Sequence, residues 1–451
     1  MVKLDNVTYW YREGEPPALR SVNLRVERGE SICVMGRNGS GKSTLARLIA
    51  SLRHPGRGKI SINGQTVSQD ATDTGVGILF QNPDNQMVAV MVEKELAFAL
   101  ENQAMPQEQM ERTVVTLAER FGISHLLDRL TSELSGGEKQ RVALASVMIQ
   151  NPSVLVLDEP DSFLDETGRR ILEKELERLH RESPELVELR ITQNPAVAKT
   201  YKRLVVLDNG CIAADGQPSE IFEDTELAER TGLIQPLGAD RAIDLPQTFG
   251  TSIQRHGERV TRATLEDGSF GYGAEADVLD SISMSLSTGE IVGLVGPTGV
   301  GKSSLALLLC GILEPTGGKV NYAGQSEALI ERKLIRGQVV AILQQPERQF
   351  FLSTCAEEVA YGPSNLGHKL EPSDIDAFLD MVGLAHRQFR ERDPYSLSAG
   401  EKRRLAFAAV LSMAPALVIF ADPTAGLDQE SVGRFMQIVR ALKERNVGQL
   451  V

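Results

Sequence analysis

The chain of 451 residues lacks any apolar run approaching the roughly 18–20 residues that a helix needs to cross a bilayer; stretches such as Val154–Leu157 and Ser304–Leu309 fall far short. No membrane-spanning segment is expected. The opening residues, MVKLDNVTYWYREGE, carry early charges and no apolar stretch ahead of a small-residue cleavage site, so no secretory leader is expected and the cytoplasm is the default compartment. Positive charge is also short: 48 Lys and Arg against 61 Asp and Glu leave a net charge of −13, which excludes a protein built chiefly to coat nucleic acid. Cysteine is scarce, and Cys33, Cys211, Cys310 and Cys355 show neither CxxC nor zinc-like spacing, so all four read as core thiols rather than disulfides. Apolar residues are not lacking. At 41% of the chain they can fill the cores of two to four domains of ordinary size, and disorder is excluded as the dominant state.

The chain repeats itself. GRNGSGKS at Gly36–Ser43 recurs as GPTGVGKS at Gly296–Ser303, an offset of 260. Tyr11 and Tyr272 are offset by 261, and Gln81 with Gln344, Ser135 with Ser398, and Asp165 with Asp428 by 263. A duplicated domain follows, with a first copy over 1–225, a connector over 226–261 and a second copy over 262–451. The connector contains Gly, Pro and Gln without a sustained period and reads as a linker. From Gly216 to Arg262 it carries five basic and eight acidic residues, so it is not a basic arm for RNA.

Within each copy the apolar runs are short and rich in Val, Ile and Leu, as in SICVMG, SVLVLDEP and RLVVLDNG, and turn signals bound them. These are the marks of buried strands. Helical patterns over 42–51, 107–121, 138–149 and 165–181 alternate with them, which predicts an α/β fold with a mostly parallel sheet covered by helices.

A strand, a glycine-rich turn and a helix start place several backbone N–H groups in a concave nest, where they and the helix dipole hold phosphate oxygens. In the first copy this turn comprises Gly36, Asn38, Gly39, Ser40, Gly41, Lys42, Ser43 and Thr44. In the second it comprises Gly296, Thr298, Gly299, Val300, Gly301, Lys302, Ser303 and Ser304. Lys42 and Lys302 are placed to reach the terminal phosphates, and Ser43 and Ser303 to offer a hydroxyl to Mg²⁺. A ligand-free glycine turn is the bland alternative, and two matches, each between a strand and a helix pattern, weigh against it.

The phosphate loop alone leaves kinase, GTPase and motor readings open. LSGGEKQR at Leu134–Arg141 followed by VLVLDEP at Val154–Pro160, and LSAGEKRR at Leu397–Arg404 followed by LVIFADP at Leu417–Pro423, narrow the choice. This combination resembles the ATP-binding cassette family through nearly all of both copies. The resemblance implies two tandem phosphate-loop, RecA-like nucleotide-binding domains, each with a helical signature subdomain. It also implies that Ser135, Gly136 and Gly137, or Ser398, Ala399 and Gly400, form a second anion site facing the γ-phosphate held by the opposite cassette. Read alone, the same residues are a helix start capped by Ser.

The family pattern assigns further roles. Asp158, at the end of an apolar strand, would hold the Mg²⁺ shell, and Glu159 beside it would orient or deprotonate the attacking water. Gln81 and Gln344 match the glutamine loop that senses metal and γ-phosphate; Tyr11 and Tyr272 match the aromatic that stacks on adenine. The implied ligands are ATP and Mg²⁺.

Three departures stand out. Where the family carries a His, 34 residues after Glu159, this chain has Gln193, which can donate a hydrogen bond but cannot become cationic. The second copy has Ala421 in place of the metal-shell Asp and Asp422, one methylene shorter, in place of the catalytic Glu. Carried to the end of the chain, the 263 offset sets Val451 opposite Glu188, so the second copy lacks the counterpart of RLVVLDNG and of the residue at 193. Either the chain is a truncation or another chain completes the second copy.

FQNPDNQ at Phe80–Gln86 and LQQPERQ at Leu343–Gln349, the latter followed by EEVAYGPSNLG, resemble the paired ATPases of energy-coupling-factor importers of vitamins or transition-metal ions. That implies a peripheral protein on the cytoplasmic face of the membrane. Its partners would be separate membrane-embedded coupling and substrate-binding subunits, gripped by Met87–Val92 and Phe350–Leu352 unless those residues are core. A soluble tandem cassette acting on ribosome or DNA is the alternative class; the acidic balance, the acidic connector and the two segments just quoted argue against it. A tandem sugar-importer ATPase shares the duplication but does not need those segments.

Overall fold

The computed structural model describes the chain except residues 13, 15, 68–74, 163, 235–242, 244, 247, 248, 250–259, 273–277, 298, 324–336, 344, 345, 386, 425 and 426. It divides into two compact units, Met1–Pro236 and Leu237–Val451. The division falls inside the 226–261 segment. Ala228 and Leu233 there are buried with the first unit, and Leu245 and Phe249 with the second.

In the first unit, β1 (Val2–Tyr9), β2 (Leu19–Val26), β4 (Arg57–Ile62) and β5 (Gln65–Thr66) form an antiparallel sheet in the order β2-β1-β4-β5. A second sheet has the order β10-β9-β3-β8-β7-β6, from β3 (Ser31–Met35), β6 (Val76–Leu79), β7 (Val154–Asp158), β8 (Val187–Ile191), β9 (Leu204–Asp208) and β10 (Cys211–Gly216). Its neighbours are parallel except β9 and β10. The unbroken burial of β7 explains its near-continuous apolar reading, since helices cover both faces of a parallel sheet; β8 is equally buried although it carries Glu188 and Arg190. One core lies between the two sheets and α1 (Lys42–Ile49). Another joins α2 (Val92–Asn102), α3 (Gln107–Arg120), α4 (Gly136–Met148) and α5 (Glu166–Glu182) to the sheet. A third packs β3 and β9 against α6 (Pro195–Ala198), α7 (Pro218–Glu223) and α8 (Thr225–Arg230). Cys33 belongs to that core, and Cys310 and Cys355 are also buried, but Cys211 is exposed because β10 is the sheet's edge. The core-thiol expectation is corrected at that position.

The second unit repeats the plan in reduced form. β11 (Arg262–Phe270), β12 (Leu279–Ser287) and β14 (Gly317–Ala323) make the antiparallel sheet. β13 (Ile291–Val292), β15 (Val339–Ile342), β16 (Leu417–Phe420) and β17 (Gly448–Leu450) make a parallel one in the order β13-β17-β16-β15. Among the described residues its helices are α9 (Lys302–Leu309), α10 (Cys355–Asn365), α11 (Pro372–Met381), α12 (Arg387–Arg390), α13 (Ala399–Leu411) and α14 (Gln429–Glu444). Among the described residues there is no counterpart of β9 or β10.

Strand register corrects one sequence alignment. Ile291 pairs with Gln449 where Ser31 pairs with Glu188, and Leu417 pairs with Gly448 where Val154 pairs with Val187. Val451 therefore corresponds to Arg190 rather than Glu188. The cause is local: α14 has 16 residues against 17 in α5, and its link to the next strand is one residue shorter.

Candidate functional site

In the first unit the phosphate loop leaves β3, Gln81 follows β6, Asp158 ends β7, and Gln193 follows β8. Parallel strands bring these carboxyl ends together, which is where open α/β sheets place ligands. Gly36 has φ +144°, and a Cβ there would meet Leu207 O at 2.0 Å; Gly41 has φ +105° and caps α1. Only glycine permits this path so close to neighbouring backbone. Lys42 folds back over the loop, donating from Nζ to Gly36 O at 2.8 Å and Arg37 O at 2.9 Å. The Ser40 hydroxyl is buried in the loop without a hydrogen-bond partner, as a group awaiting an anion would be.

The carboxylates lie opposite. Asp158 and Glu159 are both buried. Burial pushes the Asp158 carboxyl up, opposed by a hydrogen bond from Ser43 and by the Lys42 charge. Glu159 is pushed up to about 7 by burial first and the neighbouring Asp158 charge second, against the pull of Lys42. Gln81 Nε2 donates to Glu159 Oε2 at 2.7 Å, and the Ser162 hydroxyl donates to the same oxygen at 3.2 Å. Glu159 has φ +50°, a left-handed conformation that a side chain of this size rarely adopts, held by its N–H donating to Ile191 O at 3.0 Å. Ser43, Asp158 and Gln81 are hard oxygen donors, which suits Mg²⁺. Gln193 Nε2 donates to Asn38 Oδ1 at 3.3 Å, so it does sit against the phosphate loop. Tyr11 is half-exposed, edge-on to Tyr9, with its hydroxyl 3.0 Å from Thr44 Oγ1.

The second unit reproduces the cradle but not the pair of carboxylates, keeping only Asp422. Lys302 Nζ donates to Gly296 O at 2.7 Å and Pro297 O at 2.8 Å, and Tyr272 OH lies 3.2 Å from Ser304 Oγ. Asp422 has φ +48°, matching Glu159, and Arg403 Nη1 donates to its backbone oxygen at 3.1 Å. Ala421 provides no ligand. Thr298, Gln344 and the side chain of Ala399 lie outside the described residues.

Ser135 caps α4 and Ser398 caps α13, each in a reciprocal box with the Glu three residues on, Glu138 and Glu401. The capping role is present in both units; Gly136 and Gly137, like Gly400, occupy the first helical turns behind these caps.

Two residues that the 263 offset sets in register, Glu95 and Glu358, and to which the motifs assign no role, organise the apolar segments. Buried Glu95 accepts from Val88 N at 2.9 Å and Ala89 N at 2.7 Å, and buried Glu358 accepts from Phe351 N and Leu352 N. Their recurrence at the repeat offset was the available signal. The loops they hold present Val88 at 66%, Val90 at 72% and Phe351 at 69% exposure, while Val92 and Phe350 are core. Gln86 and Gln349 act likewise: each side-chain oxygen accepts from a backbone N–H just past β6 or β15, Phe80 or Leu343, and each amide donates inward.

A family model described as "ABC transporter" matches residues 19–162 and 279–425. A relative from Bifidobacterium longum, named "Putative ABC transporter ATP-binding protein", is 32% identical over 99% of this chain and 62% of its own length. This chain thus spans less than two thirds of that relative. A Caldanaerobacter subterraneus protein named in the same words is 30% identical over 97% of this chain and 84% of its own. The "Putative HMP/thiamine import ATP-binding protein YkoD" of Bacillus subtilis is 28% identical over 100% and 86%. Among solved structures, cbiO1 from Clostridium perfringens, described as part of the ABC transporter complex cbiONQ, is 31% identical over 52% of this chain and 95% of that one, with a TM-score of 0.44. An ATP-binding cassette bound to ADP and Pi is 28% identical over 48% and 99%, with a TM-score of 0.45.

Proposed function

The chain belongs to the ABC transporter family of ATPases, and from that premise we propose that it is the energy-coupling subunit of an energy-coupling-factor-type importer, driving uptake of a vitamin or transition-metal ion through separate membrane-embedded partners. The observation that carries the hydrolytic part is the convergence, in the first unit, of Lys42, Ser43, Gln81, Asp158 and Glu159 around one phosphate cradle. The phosphate-loop N–H groups and Lys42 bind the terminal phosphates, and Tyr11 offers a ring face to the adenine. Ser43, Asp158 and Gln81 would hold Mg²⁺, which supplies charge neutralisation on the phosphates when bound. Glu159, its carboxyl raised toward neutral pH, takes a proton from water as the water oxygen bonds to the γ-phosphorus and the bond to the ADP oxygen breaks. Gln193 contributes a neutral donor. The second unit holds ATP by the same cradle but lacks the metal-shell carboxylate, so its turnover is much slower.

The importer type is supported by the thiamine-import name of one relative, matched over 86% of its own length, and by the two exposed apolar loops, which suit a groove for partner helices. Such a partner places the protein on the cytoplasmic face of the membrane; among the described residues no helix is long and apolar enough to cross it. The test is copurification of the native chain with membranes. Val88→Asp and Phe351→Asp should each release it while nucleotide binding stays within about twofold. Retention of both variants on membranes, or recovery of the wild type with ribosomes, would overturn the importer reading.

A further inference from the structure

We propose that Arg190 is a positioning residue for the hydrolytic turn of the first unit, acting through Asp161. Arg190 lies on β8 with its side chain almost fully buried. Its Nη1 donates to Glu173 Oε1 on α5 at 2.6 Å, and its Nη2 lies 3.9 Å from Asp161 Oδ1. Asp161 is two residues beyond Glu159, in the turn that presents it. Within that turn Ser162 N donates to Glu159 O and Leu164 N to Asp161 O, both at 3.2 Å. The turn starts from the strained backbone of Glu159, so something must hold it. A buried cation facing the Asp161 carboxylate does so from the sheet side, at a distance where charge attraction persists in a desolvated setting.

The second unit shows that the packing does not need this network. By strand register and repeat offset, Asp161, Glu173 and Arg190 correspond to Thr424, Met436 and Val451, and Glu188 to Gln449. α14 still packs on its sheet there, through Phe407, Phe420 and Phe435 with ring centroids 5.1–6.0 Å apart. The ionic set is therefore present in the unit that carries both Asp158 and Glu159, and neutral side chains stand in its place in the unit that has Ala421 and Asp422 at those positions.

The inference rests on the ATPase reading, and steady-state phosphate release by the full chain, with equilibrium binding of a non-hydrolysable ATP analogue, tests both. Asp161→Asn should lower kcat about 10-fold and leave the analogue's Kd within about twofold, because the turn shifts while the cradle does not. Glu173→Gln keeps an acceptor oxygen for Nη1 on a half-exposed side chain and should leave kcat within about twofold. Arg190→Lys should retain roughly a third of the rate where Arg190→Met loses about 10-fold; should the Met variant fail to fold, Asp161→Asn and Arg190→Lys decide. A wild-type rate in Asp161→Asn, a Kd that rises in step with the lost rate, or a Lys variant no better than Met overturns the inference alone. A wild type without turnover overturns it together with the ATPase reading.

Discussion

Glu159 carries two burdens, a positive φ and a buried carboxyl, and both follow from its position at the end of β7. Its folded pKa of about 7 lies above the unfolded value of 4.5, so the folded state binds the extra proton between those values. The contribution of Glu159 to stability is complete below pH 4.5 and is lost as pH rises through 7, a change on the order of 3 kcal/mol. Glu159→Gln removes the ionisation. In thermal melts without nucleotide or metal, that variant should therefore be more stable than wild type at pH 8 and indistinguishable near pH 4. The same substitution should abolish nearly all phosphate release, at least about 100-fold, whereas Asp422→Asn should change it by less than about twofold. Equal losses in the two variants would show that Asp422 supports hydrolysis despite Ala421.

The start of α13 serves as a capped helix whether or not it binds an anion, because Ser398 and Glu401 satisfy each other's backbone. Ser398→Asp separates the roles. Aspartate caps as well as serine, so stability should stay within about 0.5 kcal/mol of wild type, but it sets a negative charge where a phosphate would approach. ATP turnover should fall by about 10-fold or more. Turnover at the wild-type rate would reduce the motif to a cap. The loops after β6 and β15 follow a parallel logic. Glu95 and Glu358 spend buried carboxylates on backbone N–H groups, which fixes short loops whose tips are apolar and exposed.

At the scale of the molecule, each unit carries its own cores and its own phosphate cradle, so nucleotide binding should be a property of both. Titration with a non-hydrolysable ATP analogue should approach about two per chain, and Lys302→Ala should reduce it to about one. Saturation at about one in wild type, unaffected by Lys302→Ala, would mean that the second cradle is empty of function. Hydrolysis should by contrast be one-sided, since the metal-shell carboxylate position and the ionic network behind Asp161 belong to the first unit.

Motif spacing was enough to identify the duplication, the α/β class, both phosphate cradles and the loss of carboxylate at 421, because strands, glycine turns and helix starts are local patterns that side-chain type and sequence distance encode. It could not give what depends on distant chain segments meeting. The pairing of Gln81 with Glu159 spans 78 residues and that of Gln193 with Asn38 spans 155. The burial that raises Glu159 toward pH 7 is likewise set by the folded surroundings. A constant offset also misaligned the last strand by two residues, because helix and link lengths are free to vary while strand register is fixed by backbone hydrogen bonds. Arg190 reads in sequence as an interruption of an apolar strand, ELRIT. Only the stacking of α5 and the Asp161 turn on that face of the sheet supplies the two carboxylates that let a guanidinium be buried there.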